Sequence, residues 1–419
     1  MAKQLRVVIA PSGFKESLSA EEVAVAIAKG VRAACPTAET ILLPLVDGGE
    51  GFTRTLANVT GGTLHPITVT GPVGQPVEAA VGILGGPGPR TAVLEMAAAA
   101  GLRLVPRDQR NPLVTTTYGV GELIRFALDL GAQRILVGCG DSGTNDGGAG
   151  MAEALGARLL RADGTPIARG GGGLADLARI ELGGLDPRLK HVPIDVACNI
   201  HNILCGERGV ARVFGPQKGA TGSQVNLLNV ALERFAAIIK RDLGHDVRLM
   251  PGGGASGGLG AGLYALLGAR LHQRYAIVMQ YLDLDTHLAT ADLVITAEGG
   301  IDFQTPRGKI PAEVARRAER FHVPVIALAG TVGAGAEVNY AHGINAYTSI
   351  LKAPCTLDEA IASAATLTAE AAENAVRMIL VGRTLAQQAR SRSTAPTRRA
   401  ASALPAAATP PSRRTALPR

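Results

Sequence analysis

Three short segments of this 419-residue chain set carboxylates among glycines. Asp47 and Glu50 lie in Pro44-Leu-Val-Asp-Gly-Gly-Glu-Gly-Phe52. Asp141 and Asp146 lie in Gly138-Cys-Gly-Asp-Ser-Gly-Thr-Asn-Asp-Gly-Gly-Ala-Gly150. Glu298 and Asp302 lie in Thr296-Ala-Glu-Gly-Gly-Ile-Asp302, with Gly308-Lys309 a few residues on. Asp-Gly alone needs nothing more than a turn. Paired carboxylates where an apolar strand ends, with glycines that let the backbone approach a ligand, suit Mg²⁺ or a hydroxyl proton.

Other segments are suited to anions. Ala10–Ala20 offers Lys15 as a point charge and Ser12, Ser17 and Ser19 as hydroxyl donors. Lys218, in Phe214–Ala220, is either an anion contact or a solvated loop lysine. Pro251-Gly-Gly-Gly-Ala-Ser-Gly-Gly-Leu-Gly-Ala-Gly262 opens an Ala/Leu-rich helix. Gly252, Gly253, Gly254, Ser256 and Gly257 would then present N–H groups at a helix N-terminus, a site for phosphate. Close helix packing explains Gly260 and Gly262 equally well.

G-x-G-x-x-G occurs at Gly138, Gly140, Gly143 and again at Gly252, Gly254, Gly257. A nicotinamide-dependent dehydrogenase would also need an acidic residue about 20 positions on, at a strand end. Asp163 has the spacing but falls in an Asp-Gly turn. The Walker A spacing is broken, since Phe303 stands at its glycine position and Ile310 at its Ser/Thr position.

The elements that must hold these loops are legible in outline. Leu5–Ala10 is a continuous apolar run, as expected of a strand buried on both faces. A helix follows over Ala20–Ala34, capped by Ser19, then a strand over Ile41–Leu45. Leu293–Ala297, Pro311–Phe321, Val323–Ala329, Ile344–Ile350 and Leu357–Leu380 read as strand, helix, strand, strand and helix. This alternation predicts a parallel sheet with helices on both faces. Between these halves, His65–Leu84 and Thr91–Glu95 read as strands joined by Gly/Pro turns, and Asp163-Gly164 as a hairpin turn.

The sequence therefore predicts an α/β protein: a Rossmann-like parallel-sheet domain from residues 1–65 and 286–382, interrupted by an inserted mixed α/β domain at 66–285. The cleft between them would hold the active site. Residues 383–419 read as a disordered basic tail. That segment holds 8 arginines and no acidic residue. Without them the chain has 34 basic residues against 35 acidic, so the net charge of +7 belongs to the tail. Aromatic stacking residues for nucleic acid are scarce, and no nucleic-acid partner is expected. Five cysteines without C-x-x-C argue against a zinc site or a disulfide framework. No 18-residue apolar run and no signal-peptide pattern are present, so a cytoplasmic protein without a membrane partner is expected.

In order, Ala10–Ala20, Pro44–Phe52, Gly140–Gly150, Phe214–Thr221, Gly252–Gly260 and Glu298–Lys309 resemble the loops of the two-domain bacterial glycerate kinase family. The resemblance covers about residues 5–380. It implies ATP, Mg²⁺ and D-glycerate, a phosphoglycerate product with the 2-phosphate favoured, and no redox cofactor. It permits a homodimer. It implies that Lys15 and Lys309 neutralise phosphate or the glycerate carboxylate, and that Asp47, with Asp302 second, orients or deprotonates the attacking hydroxyl. Asp141, Asp146 and Glu298 become Mg²⁺ or substrate ligands. Ser17, Lys218, Asn202 and the 252–257 loop become substrate and phosphate contacts. Ser12-Gly13, Asn199 and Gly300 depart from the commoner family pattern, which leaves a kinase for another small hydroxy acid as the alternative.

Overall fold

A computed structural model describes residues 4–14 and 17–394. Two large sheets organise residues up to Ala375, which form one unit. The first sheet contains β1 (Arg6–Ile9), β2 (Glu39–Leu42), β11 (Leu293–Ile301), β12 (Val325–Val332) and β13 (Ala346–Ser349), in the order β13-β12-β11-β1-β2. All four pairings are parallel. Val7, Val8 and Ile9 are fully buried, as a strand between two neighbours and beneath helices on both faces must be. The helix Ala20–Ala34 has the expected Ser19 cap, extended to a capping box with Glu22.

The second sheet contains β3 (Thr63–Thr70), β4 (Pro76–Ile83), β5 (Thr91–Glu95), β6 (Arg134–Gly138), β9 (Ile194–Cys198) and β10 (Arg270–Gln273), ordered β10-β9-β6-β5-β4-β3. Its four strands from β10 to β5 are parallel; β4 and β3 add an antiparallel edge. A small pair joins β7 (Arg158–Leu160) to β8 (Arg179–Glu181). Across the Asp163-Gly164 turn from β7, the chain makes a single bridge, Leu160 to Pro166, rather than a full hairpin.

One apolar cluster runs through both sheets. It joins Val8, Leu45 and Val294 of the first half to Val93, Leu136 and Ala197 of the second, with Phe52 and Leu56 among them. Phe52 is fully buried in this cluster, and removing such a ring costs about 3–5 kcal/mol. The same cluster contains Tyr275, Ile277, Val278 and Leu284. The segment just after β10, expected within the inserted part, thus packs on the first sheet's core. At the other limit, β3 begins at Thr63 within the second sheet.

The long helix Leu357–Thr394 closes the described chain, and its part from Val376 on belongs to a second unit. Residues 383–394, expected as disordered tail, are helical. An Ala-, Leu- and Gln-containing stretch free of Gly and Pro, Thr384–Ala389, has the propensity to continue the helix past Gly382. Residues 395–419 lie outside the described residues.

Candidate active site

The carboxyl ends of the two sheets meet through glycines. Gly48, with φ of +89°, leaves only 2.9 Å between an added Cβ and the Ala197 carbonyl. A Cβ on Gly140 would lie 2.7 Å from the Gly49 Cα. A Cβ on Gly138 would lie 2.7 Å from both the Gly48 carbonyl and the Phe52 ring. The glycines of the first G-x-G-x-x-G therefore serve chain-to-chain packing, and the space a dinucleotide would need is filled by the 47–51 loop.

That loop is clamped from the second sheet. Glu95, at the end of β5, accepts hydrogen bonds from Gly51 N–H at 3.1 Å and Thr53 N–H at 2.8 Å. It thereby holds the N-terminus of the helix Phe52–Val59, where negative charge is favourable. Burial raises its pKa, with the Thr53 and Gly51 donors opposing that rise. Asp141 accepts from Glu50 N–H at 3.0 Å. Its backbone is held at φ of +50°, a conformation that a non-glycine residue adopts at a cost of order 1–3 kcal/mol. Gly49 separates two carboxylates. A Cβ there would overlap an Asp141 oxygen and lie 3.3 Å from an Asp47 oxygen. Asp47 also receives Nη1 of Arg274 at 3.1 Å.

Arg274 was not among the residues singled out from the sequence. It follows β10 directly, in a stretch with no glycine, and only the pairing of β10 beside β9 brings it to Asp47. Its guanidinium also covers the Tyr275 ring at 4.6 Å. Burial raises the Tyr275 pKa, with Arg274 opposing and the Asp47 and Glu298 charges adding to the rise, so Glu298 belongs to the same neighbourhood.

Lys309 and Asp302 form a second group on the first sheet. Lys309 Nζ donates to the Gly300 carbonyl at 3.2 Å and lies 3.4 Å from Asp302 Oδ1. Burial would raise the Asp302 pKa, but the Gln304 N–H and Lys309 outweigh it and the net shift is downward. A carboxylate so stabilised is a weak proton acceptor. Gly308 lies near Gln273, the residue before Arg274, so this group borders the Asp47 crevice. Ser12 ties β1 to β11 by donating to the Ala297 carbonyl at 3.0 Å. The Ser17 hydroxyl is buried without a partner among the described residues. Lys15 lies outside the described residues.

On the second sheet three expectations change. Lys218 is 2% exposed and donates to Ser142 Oγ at 2.8 Å and to the Thr144 carbonyl at 2.7 Å. It is an interior clamp on the 141–147 loop, and burial lowers its pKa to about 7. Asp146 is fully buried and accepts from Thr117 N–H and Oγ1, Gly148 N–H and Gly150 N–H. With four donors, three on Oδ2 and one on Oδ1, it braces the turn that follows it. The N–H groups of Gly252, Gly253 and Gly254 are spent on the carbonyls of Ile200, Met250 and Asn202. They cannot also cradle phosphate; the Asn202 carbonyl receives the Gly254 N–H.

The donors that remain in that loop belong to Ser256 and Gly257, both left-handed. A Cβ on Gly257 would strike the Thr144 carbonyl and the Asn145 Cα, so the loop rests on the 144–145 backbone. Thr144 Oγ1, both polar atoms of Asn145, and Ser256 Oγ are buried without nitrogen or oxygen partners among the described residues. Buried polar groups in native proteins find partners, so this cluster is suited to an oxygen-rich ligand. The neighbouring thiols offer no nucleophile. Burial raises the Cys139 pKa and pushes Cys198 up to about 12.

Among the described residues no group of three or more His, Cys, Asp or Glu side chains forms a metal cage. Mg²⁺ needs fewer, since it commonly takes one or two carboxylates and completes its shell with phosphates and water. Asp141, beside Gly49, meets that requirement.

A family model described as the glycerate kinase family matches residues 7–380. The chain is 48% identical over 368 residues to a glycerate kinase of Halalkalibacterium halodurans, covering 88% of this chain and 96% of that one. It is 47% identical over 378 residues to the glycerate 2-kinase of Escherichia coli K12, covering 90% and 99%. A crystal structure assigned to glycerate kinase 2 of Salmonella typhimurium LT2 superposes with a TM-score of 0.82 at 48% identity, covering 91% and 100%.

Proposed function

The chain belongs to the glycerate kinase family, and on that premise we propose that it transfers the γ-phosphoryl group of ATP to the 2-hydroxyl of D-glycerate in the crevice between the two sheets. The observation that carries this reading is the meeting of Asp47 with Arg274 and Asp141 across Gly49. It joins a base, a cation and a second carboxylate contributed by different sheets. The name of the Escherichia coli relative, glycerate 2-kinase, supports the choice of hydroxyl.

Phosphoryl transfer asks the protein mainly for positioning and charge neutralisation. Asp47 accepts the proton of the attacking hydroxyl, and Arg274 fixes the orientation of that carboxylate. Lys309, steadied by Asp302 and the Gly300 carbonyl, places a positive charge where a substrate carboxylate or phosphate would sit. Lys15 is proposed to act beside it, and Glu298 to contact substrate. Ser256, Gly257, Asn145 and Thr144 hold phosphate oxygens. Asp141 would hold Mg²⁺, which would supply charge neutralisation for the transferred phosphoryl group. Lys218, Asp146 and Glu95 keep the loops in place from beneath.

Phosphorus NMR of the product of ATP and D-glycerate tests the reading directly. A 2-phosphoglycerate signal is expected. A folded enzyme that forms only 3-phosphoglycerate, or that leaves D-glycerate unphosphorylated, overturns it.

A further inference from the structure

The amino ends of the second sheet's parallel strands hold a cavity that the transfer reaction does not use. It is half open to solvent and offers about 620 Å³, within the range of small-molecule sites. Arg134 opens β6 and Arg270 opens β10, whereas the catalytic crevice lies at the other ends, by Gly138 and Gln273. Four residue steps of strand lead from Arg134 to Gly138, about 13 Å. The turn Gly85–Pro89 forms one wall, and Gln280 and Tyr281 of the helix Arg274–Tyr281 form another.

The charge in this cavity is unbalanced. Asp195 is its one lining carboxylate among the described residues, and its side chain is 4% exposed. It accepts from Arg270 Nε at 3.1 Å, pairs with Arg134 Nε at 3.5 Å, lies 2.8 Å from His272 Nε2 and accepts from Tyr281 Oη at 3.2 Å. Arg90 lines the same space, with its Nε donating to the Leu130 carbonyl. Three guanidinium groups thus line a space with one carboxylate, an excess of two positive charges before His272 is considered. Arg134 and Arg270 share the buried Asp195, while Arg90 pairs with no carboxylate among the described residues that line the cavity. Guanidinium forks match phosphate and carboxylate oxygens in pairs.

We propose that this cavity is a second anion site, separate from the catalytic crevice, that takes a small phosphate-bearing molecule. Asp195 orients Arg134 and Arg270, and Arg90 completes the charge. The N–H groups of Arg134 and Arg90 beyond Nε are left to meet the ligand.

Isothermal titration of the full chain with inorganic pyrophosphate in metal-free buffer tests the proposal. The wild-type protein is expected to show a class of sites that Arg134→Gln/Arg270→Gln weakens at least tenfold and Lys309→Ala leaves in place. Turnover of ATP and glycerate should be near normal in the double variant. If that variant does not fold, Arg90→Gln, which breaks no ion pair to Asp195, should weaken the same class. Isotherms of the folded arginine variants that match the wild type, or loss of all pyrophosphate binding in Lys309→Ala, overturn the proposal.

Discussion

Asp47 and Arg274 are separated by 227 positions in the chain and by 3.1 Å between Oδ2 and Nη1. One follows the edge strand of the first sheet and the other follows the edge strand of the second. The pair is half open to solvent, with side-chain exposures of 29% for Arg274 and 50% for Asp47, so its worth to stability is at most about 1 kcal/mol. Its value lies in orientation. Asp47→Asn should lower kcat about 10²–10⁴-fold, the usual contribution of a positioned base. Arg274→Ala should lower kcat/KM up to about a hundredfold through misplacement. The double variant should be little worse than Asp47→Asn alone, because both changes disable one unit. Steady-state kinetics of the three variants, with thermal melts unchanged within a few degrees, checks this.

Two glycines separate steric effects on chemistry from those on folding. At Gly49 an added methyl meets the end of the Asp141 side chain. That carboxylate can move, so Gly49→Ala should fold with a loss below about 1 kcal/mol yet lose at least tenfold in kcat/KM. At Gly257 the methyl meets the Thr144 backbone carbonyl, and φ is +71°. Neither can yield, and Gly257→Ala should lose about 2–4 kcal/mol. Denaturant melts beside initial rates distinguish the two.

Much of this arrangement was legible before any fold was known. The βαβ opening, the Ser19 cap and the loops at strand ends all follow from local pattern. Asp47, Asp141 and Lys309 occupy positions their glycine neighbours had marked. What escaped was decided by pairing across long separations. Arg274 has no local signature, and its role depends on β10 lying beside β9. The second loop's glycines looked like free donors because sequence does not reveal that Ile200, Met250 and Asn202 use three of their N–H groups. Lys218 and a solvated loop lysine are indistinguishable until burial is known. The helix to Thr394 was missed because composition alone does not separate an Ala-rich helix end from a linker.

The buried Lys218 makes a stability prediction with a definite sign. Burial lowers its pKa from 10.5 to about 7. Between those values the unfolded chain binds the proton more than the native chain does, so stability from this group rises with pH across that window. The slope approaches about 1.4 kcal/mol per pH unit at most. Below pH 7 both states are protonated and the dependence ends. Lys218→Met should therefore flatten the rise between pH 7 and pH 10, while losing the hydrogen bonds to Ser142 and Thr144. Urea melts of both proteins at pH 7, 8.5 and 10 measure the difference.

Removal of the metal should silence the enzyme without unfolding it. The two carboxylates beside Gly49 are held by the Arg274 guanidinium and the Glu50 N–H, so the crevice does not depend on a cation for its shape. Chelation with EDTA is expected to abolish phosphoryl transfer and leave the melting temperature within about 2 °C, and added Mg²⁺ should restore activity. Asp141→Asn keeps an oxygen for Glu50 N–H but removes a negative charge that would face the cation. It should raise the Mg²⁺ concentration for half-maximal rate about tenfold or more, while Asp146→Asn should act on stability and leave that concentration nearly unchanged. Equal shifts in both variants would return Asp146 to the metal site and remove it from the brace beneath the 141–150 loop.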